Sequence, residues 1–219
     1  MTEDTTQIDL LTRPDLYYDE DQGVFVPIYD LTPKEIWLTF DDGPHPAHTR
    51  TVLDALDTAR LKATFFVVGL NAERQPQMLR DISSRGHRIG NHSFTHAELP
   101  TLTDAEIRAE IEKTDKLIAP YVTGPKILRP PFGATNARVS TIARQLGYRE
   151  VLWTVDTLDW KRDMQPDGWV QNGIGQIRAR RTSVVLMHDI HPTTAANVGT
   201  FIAGVRALPD VVFKDPGSL

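Results

Sequence analysis

The chain has 219 residues, with Lys+Arg 24 against Asp+Glu 29, a formal charge of −5 at pH 7, and no cysteine. Its 40% hydrophobic and 24% charged content is that of a folded globular domain and excludes wholesale disorder. The cysteine count excludes disulfide scaffolds, thiolate metal sites and thiol nucleophiles, and mild acidity gives no reason to expect nucleic acid or an anionic membrane as partner.

Met1–Leu10 is polar and acidic and lacks the basic and apolar regions of a targeting segment. The chain as written therefore reads as cytoplasmic, or as secreted if a signal was removed, and a monomer is expected. Ala63–Leu70, the densest apolar stretch, is too short to span a bilayer. Residues 1–33, with Asp19-Glu20-Asp21 and three prolines, read as an irregular arm packed on a domain of residues 34–219.

From there, short apolar runs alternate with helical patterns. A strand is predicted at Ile36–Phe40, then a helical stripe of Val52, Leu53, Leu56 and Ala59. Thr64–Val68 is the second strand, followed by a stripe of Met78, Leu79 and Ile82 that ends near Gly86. After a third strand, Arg88–Asn91, the capping box Thr103-Asp104-Ala105-Glu106 opens a helix carrying Ile107, Ile111, Leu117 and Ile118. Ile127–Arg129 is the fourth strand, and Val139, Ile142, Ala143 and Leu146 form a helix closed by Gly147. Val151–Val155 and Ser183–Met187 complete the strands. Being apolar on both faces, the runs suit a buried parallel sheet, and the alternation points to an α/β fold: a (β/α) barrel or an open doubly wound sheet. No Gly-x-Gly-x-x-Gly or Walker loop follows the first strand, which weakens the nucleotide-binding version.

In such folds the chemistry sits at the carboxyl ends of the strands, and polar residues cluster there. Asp41-Asp42-Gly43-Pro44 follows the first strand; one carboxylate can hold a metal while the other faces substrate, or the segment is a polar turn. His92 and His96 follow the third strand, and a helical turn between them would bring both onto one cation. With Asp42 they make a three-ligand set that leaves coordination positions open, as in catalytic metal sites. After the fourth strand, Arg129 can orient a carboxylate, while Pro130 and Pro131 fix the backbone so that the Phe132 N–H is held rigidly; a plain loop stop has the same composition. Asp156, Asp159 and Trp160 follow the fifth strand, where an exposed Trp160 would be a sugar-stacking platform and a buried one a core residue. The sixth strand leads through Leu186 to His188, a candidate general acid. His45, His48, His87 and His191 are read as bystanders, with His45 and His191 close enough to the motifs to line a cleft.

Thr39-Phe40-Asp41-Asp42-Gly43, His92-Ser93-x-x-His96, Arg129-x-Pro131-x-Gly133, Asp156-x-x-Asp159-Trp160 and Leu186-x-His188 together resemble the ordered motifs of the polysaccharide deacetylases, the NodB homology domain of carbohydrate esterase family four. The resemblance runs from about Ile36 to at least Asp189 and implies a distorted (β/α) barrel holding one divalent cation, most often zinc, sometimes cobalt or nickel. It implies Asp42, His92 and His96 as metal ligands, Asp41 as general base held by Arg129, and His188 as general acid oriented by Asp159. Trp160 and Leu186 would wall the acetyl pocket. Phe132 stands where the family often has Tyr, but the role there belongs to the backbone N–H.

The implied reaction removes N-acetyl groups from N-acetylglucosamine units, with chitin or chito-oligosaccharides favoured and peptidoglycan next. Acetylxylan ester hydrolysis or amidohydrolysis of a small amide is the alternative. A non-haem iron oxygenase shares the His-His-carboxylate set but leaves Asp41, Arg129 and His188 unexplained. A sugar-binding module on a dead scaffold would have lost one of these positions, and all are filled.

Overall fold

The computed structural model describes residues 33–219 together with the strand backbones Leu16–Asp19 (β1) and Val24–Pro27 (β2), which pair antiparallel. Most of the arm expected at residues 1–33 lies outside the described residues. The remaining strands are Lys34–Asp41 (β3), Thr64–Val67 (β4), Arg88–Asn91 (β5), Ile127–Leu128 (β6), Arg149–Glu150 (β7), Val155–Asp156 (β8), Thr182–His188 (β9) and Val211–Phe213 (β10). They form one sheet in the order β7-β6-β5-β4-β3-β9-β8, with β10 alongside the start of β3, and every pairing is parallel. The helices are His48–Ala59 (α1), Gly69–Arg74 (α2), Pro76–Ser84 (α3), Asp104–Ile118 (α4), Ala137–Gln145 (α5), Gly168–Arg178 (α6) and Pro192–Arg206 (α7). The sheet curls into a half-barrel with the helices outside, the distorted (β/α) barrel expected. Among the described residues no helix is long and apolar enough to cross a membrane.

The two sides of β3 differ more than the sequence suggests. Ile36, Leu38 and Phe40 are buried in the main core, with Val52, Leu53 and Leu56 of α1, Ile174 and Ile177 of α6, and Phe201 and Val205 of α7. The alternate residue Thr39 turns polar atoms inward, donating to the Val185 carbonyl at 2.6 Å and accepting from Arg129 at 2.7 Å. The half-barrel interior is thus partly polar, with Phe66, Ile127 and Val151 as its apolar filling.

Local signals account for the helix ends. Thr103 accepts the Glu106 N–H while Glu106 accepts the Thr103 N–H, so the capping box of α4 is complete, and Ile107, Ile111 and Ile118 are buried behind it. Asn136 caps α5 by accepting from Arg138 and Val139, and Gly147 follows that helix with φ +81°.

One predicted strand is corrected. Val151–Val155 is not continuous: the Val151 N–H bonds the Leu128 carbonyl beside β6, whereas the Thr154 N–H bonds the Val184 carbonyl beside β9. The segment crosses between the two edges of the curled sheet. Its Val151 and Leu152 carbonyls accept from Arg129 at 3.1 and 3.3 Å instead of from a neighbouring strand.

Candidate active site

Strand register brings the predicted residues to one end of the half-barrel. Asp41 at the end of β3 lies opposite His188 at the end of β9, and Asp156 of β8 lies opposite Leu186. Asn91, which ends β5, pairs with Val67 of β4 and Leu128 of β6, so the loops carrying His92 and Arg129 begin at the same level. A cavity of about 440 Å³ opens here, lined by Asp41, Asp42, His92, His96, Phe132, Trp153, Asp156, Trp160, Leu186 and His188.

Asp42, His92 and His96 each offer one ligand atom, all within 4.8 Å of one another. The turn between the histidines is not helical, as the spacing had suggested; Ser93 and His96 both take left-handed backbone, with φ of 61° and 62°. Convergence comes from that irregular loop. The Ser93 N–H donates to the Asn91 side chain at 2.9 Å, and the His96 N–H donates to the Ser93 hydroxyl at 3.1 Å.

The His92 tautomer is fixed by chemistry. Its Nδ1 lies 2.7 Å from the Arg129 carbonyl, which can only accept, so Nδ1 carries the hydrogen and Nε2 presents a lone pair. Nε2 of His92 and of His96 lie 3.4 and 3.2 Å from Asp42 Oδ1, which is buried without a hydrogen-bond donor. A buried carboxylate oxygen with no donor, facing the Nε2 lone pair of His92 and the Nε2 of His96, fits a divalent cation. The Asp42 carbonyl in turn accepts from Asn71 at 2.8 Å, which steadies the turn.

Asp41 has a different set of partners. Its Oδ1 accepts from Arg129 Nη1 at 2.8 Å, and its Oδ2 lies 3.7 Å from His92 Nε2. Arg129 is fully buried, stacks on Phe66 with its guanidinium carbon 4.2 Å from the ring centre, and spends its other donors on Thr39, Val151 and Leu152. Arg129 is therefore placed to orient the Asp41 carboxylate.

His188 is held from behind by Asp159, which accepts from His188 Nδ1 at 2.8 Å, from the His188 N–H at 2.7 Å and from Thr194 at 2.7 Å. The remaining nitrogen, Nε2, is the one left for the cavity. Burial would lower the His188 pKa, but the Asp159 hydrogen bond and charge, aided by Asp41 and Asp42, push it up to about 9.

Phe132 adopts φ 60°, ψ 7°, with its ring 66% exposed and edge-on to His96 at 4.6 Å between centres. Gly133 and Ala134 direct their N–H groups to Pro130 and Pro131. Among the described residues the Phe132 N–H has no backbone acceptor, as an oxyanion donor requires. Trp160 is 47% exposed and lines the cavity, so it is not a core residue.

Three residues at the site carried no role in the sequence reading. Trp153 lines the cavity and packs so closely on Gly133 that a Cβ there would come within 2.9 Å of the indole. The reading placed it inside a strand, which hid its direction. Asp156 lines the cavity while its Oδ1 accepts the Leu158 N–H at 2.9 Å; its place in the fourth motif was the available signal. Asp189 is fully buried, accepts a short hydrogen bond from Thr49, and is pushed up to about 7 by burial despite that bond. It presses against Gly43, where a Cβ would meet its carboxylate at 2.3 Å, so the turn after Asp42 needs glycine. Of the histidines read as bystanders, His45 and His48 stack together at the start of α1, away from the cavity lining.

Comparison with known proteins agrees with this geometry. Residues 29–151 match the family model described as polysaccharide deacetylase. The chain is 39% identical to the peptidoglycan-N-acetylglucosamine deacetylase PgdA of Listeria monocytogenes over 178 residues, 80% of this chain and 37% of that protein. It is 40% identical to chitin deacetylase 1 of Saccharomyces cerevisiae over 158 residues, 69% of this chain and 50% of that protein. It thus spans about a third and a half of those two relatives. A family 4 carbohydrate esterase from Streptomyces lividans, solved in complex with acetate, superposes with a TM-score of 0.74 at 34% identity, covering 82% of this chain and 91% of that one.

Proposed function

This chain belongs to the polysaccharide deacetylase family, and we propose that it is a metal-dependent hydrolase removing N-acetyl groups from N-acetylglucosamine units of a glycan. The observation that carries the proposal is the convergence of Asp42, His92 and His96 beside an Arg129-held Asp41, with His188 across the same cavity.

Asp42, His92 and His96 would hold the cation, with zinc favoured by the mixed nitrogen and oxygen donor set and cobalt or nickel as substitutes. A divalent cation supplies Lewis acidity, polarising a carbonyl and making water acidic enough to lose a proton near neutrality. Asp41 Oδ2, oriented by the guanidinium on its other oxygen, accepts the proton of the attacking water. The Phe132 N–H donates to the acetamide oxygen as negative charge builds there. An amine leaves poorly unless protonated, so His188 Nε2–H gives its proton to the amide nitrogen while Asp159 keeps the imidazolium in place. Acetate and a free amine result. Trp160 and Leu186 wall the space for the acetyl methyl.

Chitin or chito-oligosaccharide is the preferred substrate, ahead of peptidoglycan. Among the described residues neither Lys nor Arg lines the cavity, and its positive groups, His188 and the cation, are committed to the reaction, so no spare cation would pair with a glycan carboxylate. Acetylxylan is the second reading, because the same groups would cleave an ester. The test is acetate release from chitin oligomers, peptidoglycan fragments and acetylxylan, before and after exhaustive chelation and after adding Zn²⁺ or Co²⁺. Activity that survives chelation would overturn the metal-dependent mechanism.

A further inference from the structure

The loop that carries both histidine ligands is held by one side chain from outside the motifs. Glu110, on α4, accepts the Phe94 N–H at 2.8 Å and the Thr95 N–H at 2.7 Å on Oε2, and the Thr95 hydroxyl at 2.9 Å on Oε1. These donors belong to residues lying between His92 and His96. The other backbone groups of the loop are also engaged: the Ser93 and Phe94 carbonyls accept from the Gly69 and Leu70 N–H groups, both at 2.9 Å, at the start of α2. Asn91, immediately before His92, donates to the Ile111 carbonyl of α4 at 2.9 Å. The loop is therefore seated on α4 at both ends, and α4 is itself fixed by its capping box and by buried Ile107 and Ile111.

The loop has a reason to need such a clamp. Ser93 and His96 both sit in left-handed backbone, a strained conformation for a non-glycine residue that persists only where the surroundings enforce it. Without Glu110, two adjacent N–H groups and one hydroxyl lose their acceptor, and the His96 imidazole loses the backbone that aims it at Asp42.

We propose that Glu110 is a positioning residue for the metal site, acting through the Phe94–Thr95 backbone to preset the His92–His96 spacing. The inference rests on the assignment of Asp42, His92 and His96 as ligands. What matters is reach and acceptor geometry rather than charge. A glutamine places an oxygen where Oε2 accepts two N–H groups and an amide where it can donate to the rotatable Thr95 hydroxyl. An aspartate keeps the charge but falls short by one carbon–carbon bond, about 1.5 Å.

The test is zinc affinity of the metal-stripped full chain, by competition with a chelating dye, for wild type, Glu110→Gln, Glu110→Asp and Glu110→Ala, with circular dichroism of each apo form. Outer partners of metal ligands typically tune affinity by about 10- to 100-fold, and a loss of that size is expected for Asp and Ala in folded protein. Gln should stay within about threefold of wild type, a margin well inside that range. Equal affinity in all four proteins, or a Gln variant weaker than the Asp variant, would overturn the inference. The Gln and Asp pair keeps the question open to test even if the alanine variant fails to fold. Wild type that binds no zinc would overturn the ligand assignment itself, and the clamp with it.

Discussion

Five of the seven non-glycine residues with positive φ among the described residues, Asp42, Ser93, His96, Phe132 and Leu158, lie in loops at the cavity. Strain of that kind persists only where neighbours enforce it, and it aims side chains that relaxed backbone would point elsewhere. Asp41 and Asp42 show the result: adjacent carboxylates with separate partners, Arg129 for one and two imidazoles for the other. Separate partners predict separable losses. Asp41→Asn should cut turnover by at least about 10²-fold, the scale of a general base, while the protein still binds the metal ion. His92→Ala should lose both. Acetate release together with metal analysis of the two variants decides it, and equal metal loss would contradict distinct roles. His188 carries the pH dependence. In the proposed mechanism its proton, held up to about 9 by Asp159 against the opposing effect of burial, is the one delivered to the leaving nitrogen. kcat should therefore hold through neutral pH and fall as pH rises through about 9. The same raised pKa stabilises the fold fully below the ordinary histidine range, near 6.5, and that contribution is lost as pH rises toward about 9. In Asp159→Asn the carboxylate charge is gone and burial prevails, so the alkaline limb of the kcat profile should move to lower pH. An unmoved limb would assign it to another group.

At the scale of elements, the strands and ligand residues announce themselves through short apolar runs and the polar residues just after them. β3, β4, β5 and β9 lie where Ile36–Phe40, Thr64–Val68, Arg88–Asn91 and Ser183–Met187 place them, to within a residue or two at most ends. What failed to show has a physical cause in each case. Val151–Val155 has strand composition, but its backbone serves two different neighbours and a buried guanidinium, a tertiary arrangement that no local pattern encodes. α6 contains Gly168, Gly173 and Gly175, and Gly173 is required where Phe201 and Thr157 would meet a Cβ at 2.8 and 2.9 Å; the glycines mask the helix in the sequence. α7 is apolar enough to bury Val198, Phe201, Ile202 and Val205, which blurs the amphipathic stripe. Trp153 and Asp156 point into the cavity because the chain crosses the barrel gap there. By contrast α4 is legible from its first residue. Thr103→Ala removes the acceptor for the Glu106 N–H and the hydroxyl that donates to the Glu106 carboxylate at 2.7 Å, and should destabilise the protein by about 1 kcal/mol in denaturant unfolding. Thr103 is not a lining residue, and buried Ile107 and Ile111 still hold α4 under the histidine loop, so kcat should not change; a large loss of activity would tie the helix start to the site.

For the whole molecule, the −5 charge acquires meaning only once the cavity is known. Asp41 is matched by Arg129, His188 by Asp159, and Asp42 faces the two imidazoles where a cation fits. Asp156 remains as a carboxylate that lines the cavity together with Trp153 and Trp160, with one oxygen committed to the Leu158 N–H. On the proposed function, a neutral N-acetylglucosamine chain would meet aromatic faces and a hydrogen-bond acceptor there. A glycan bearing carboxylates meets a net negative protein and, among the described lining residues, no lysine or arginine to receive it. The penalty is long-range, so it belongs mainly to encounter and KM rather than to kcat, and salt should erode it: the Debye length falls from about 30 Å at 0.01 M to about 8 Å at 0.15 M. Measured as kcat/KM for acetate release, the preference for a neutral chito-oligosaccharide over a carboxylate-bearing peptidoglycan fragment of matched length should be largest at low ionic strength. It should narrow several-fold as salt is raised, with kcat for each substrate nearly constant. A salt-independent ratio would place discrimination in short-range contacts at the groove, and a preference for the anionic glycan at low salt would reverse the assignment of substrate class.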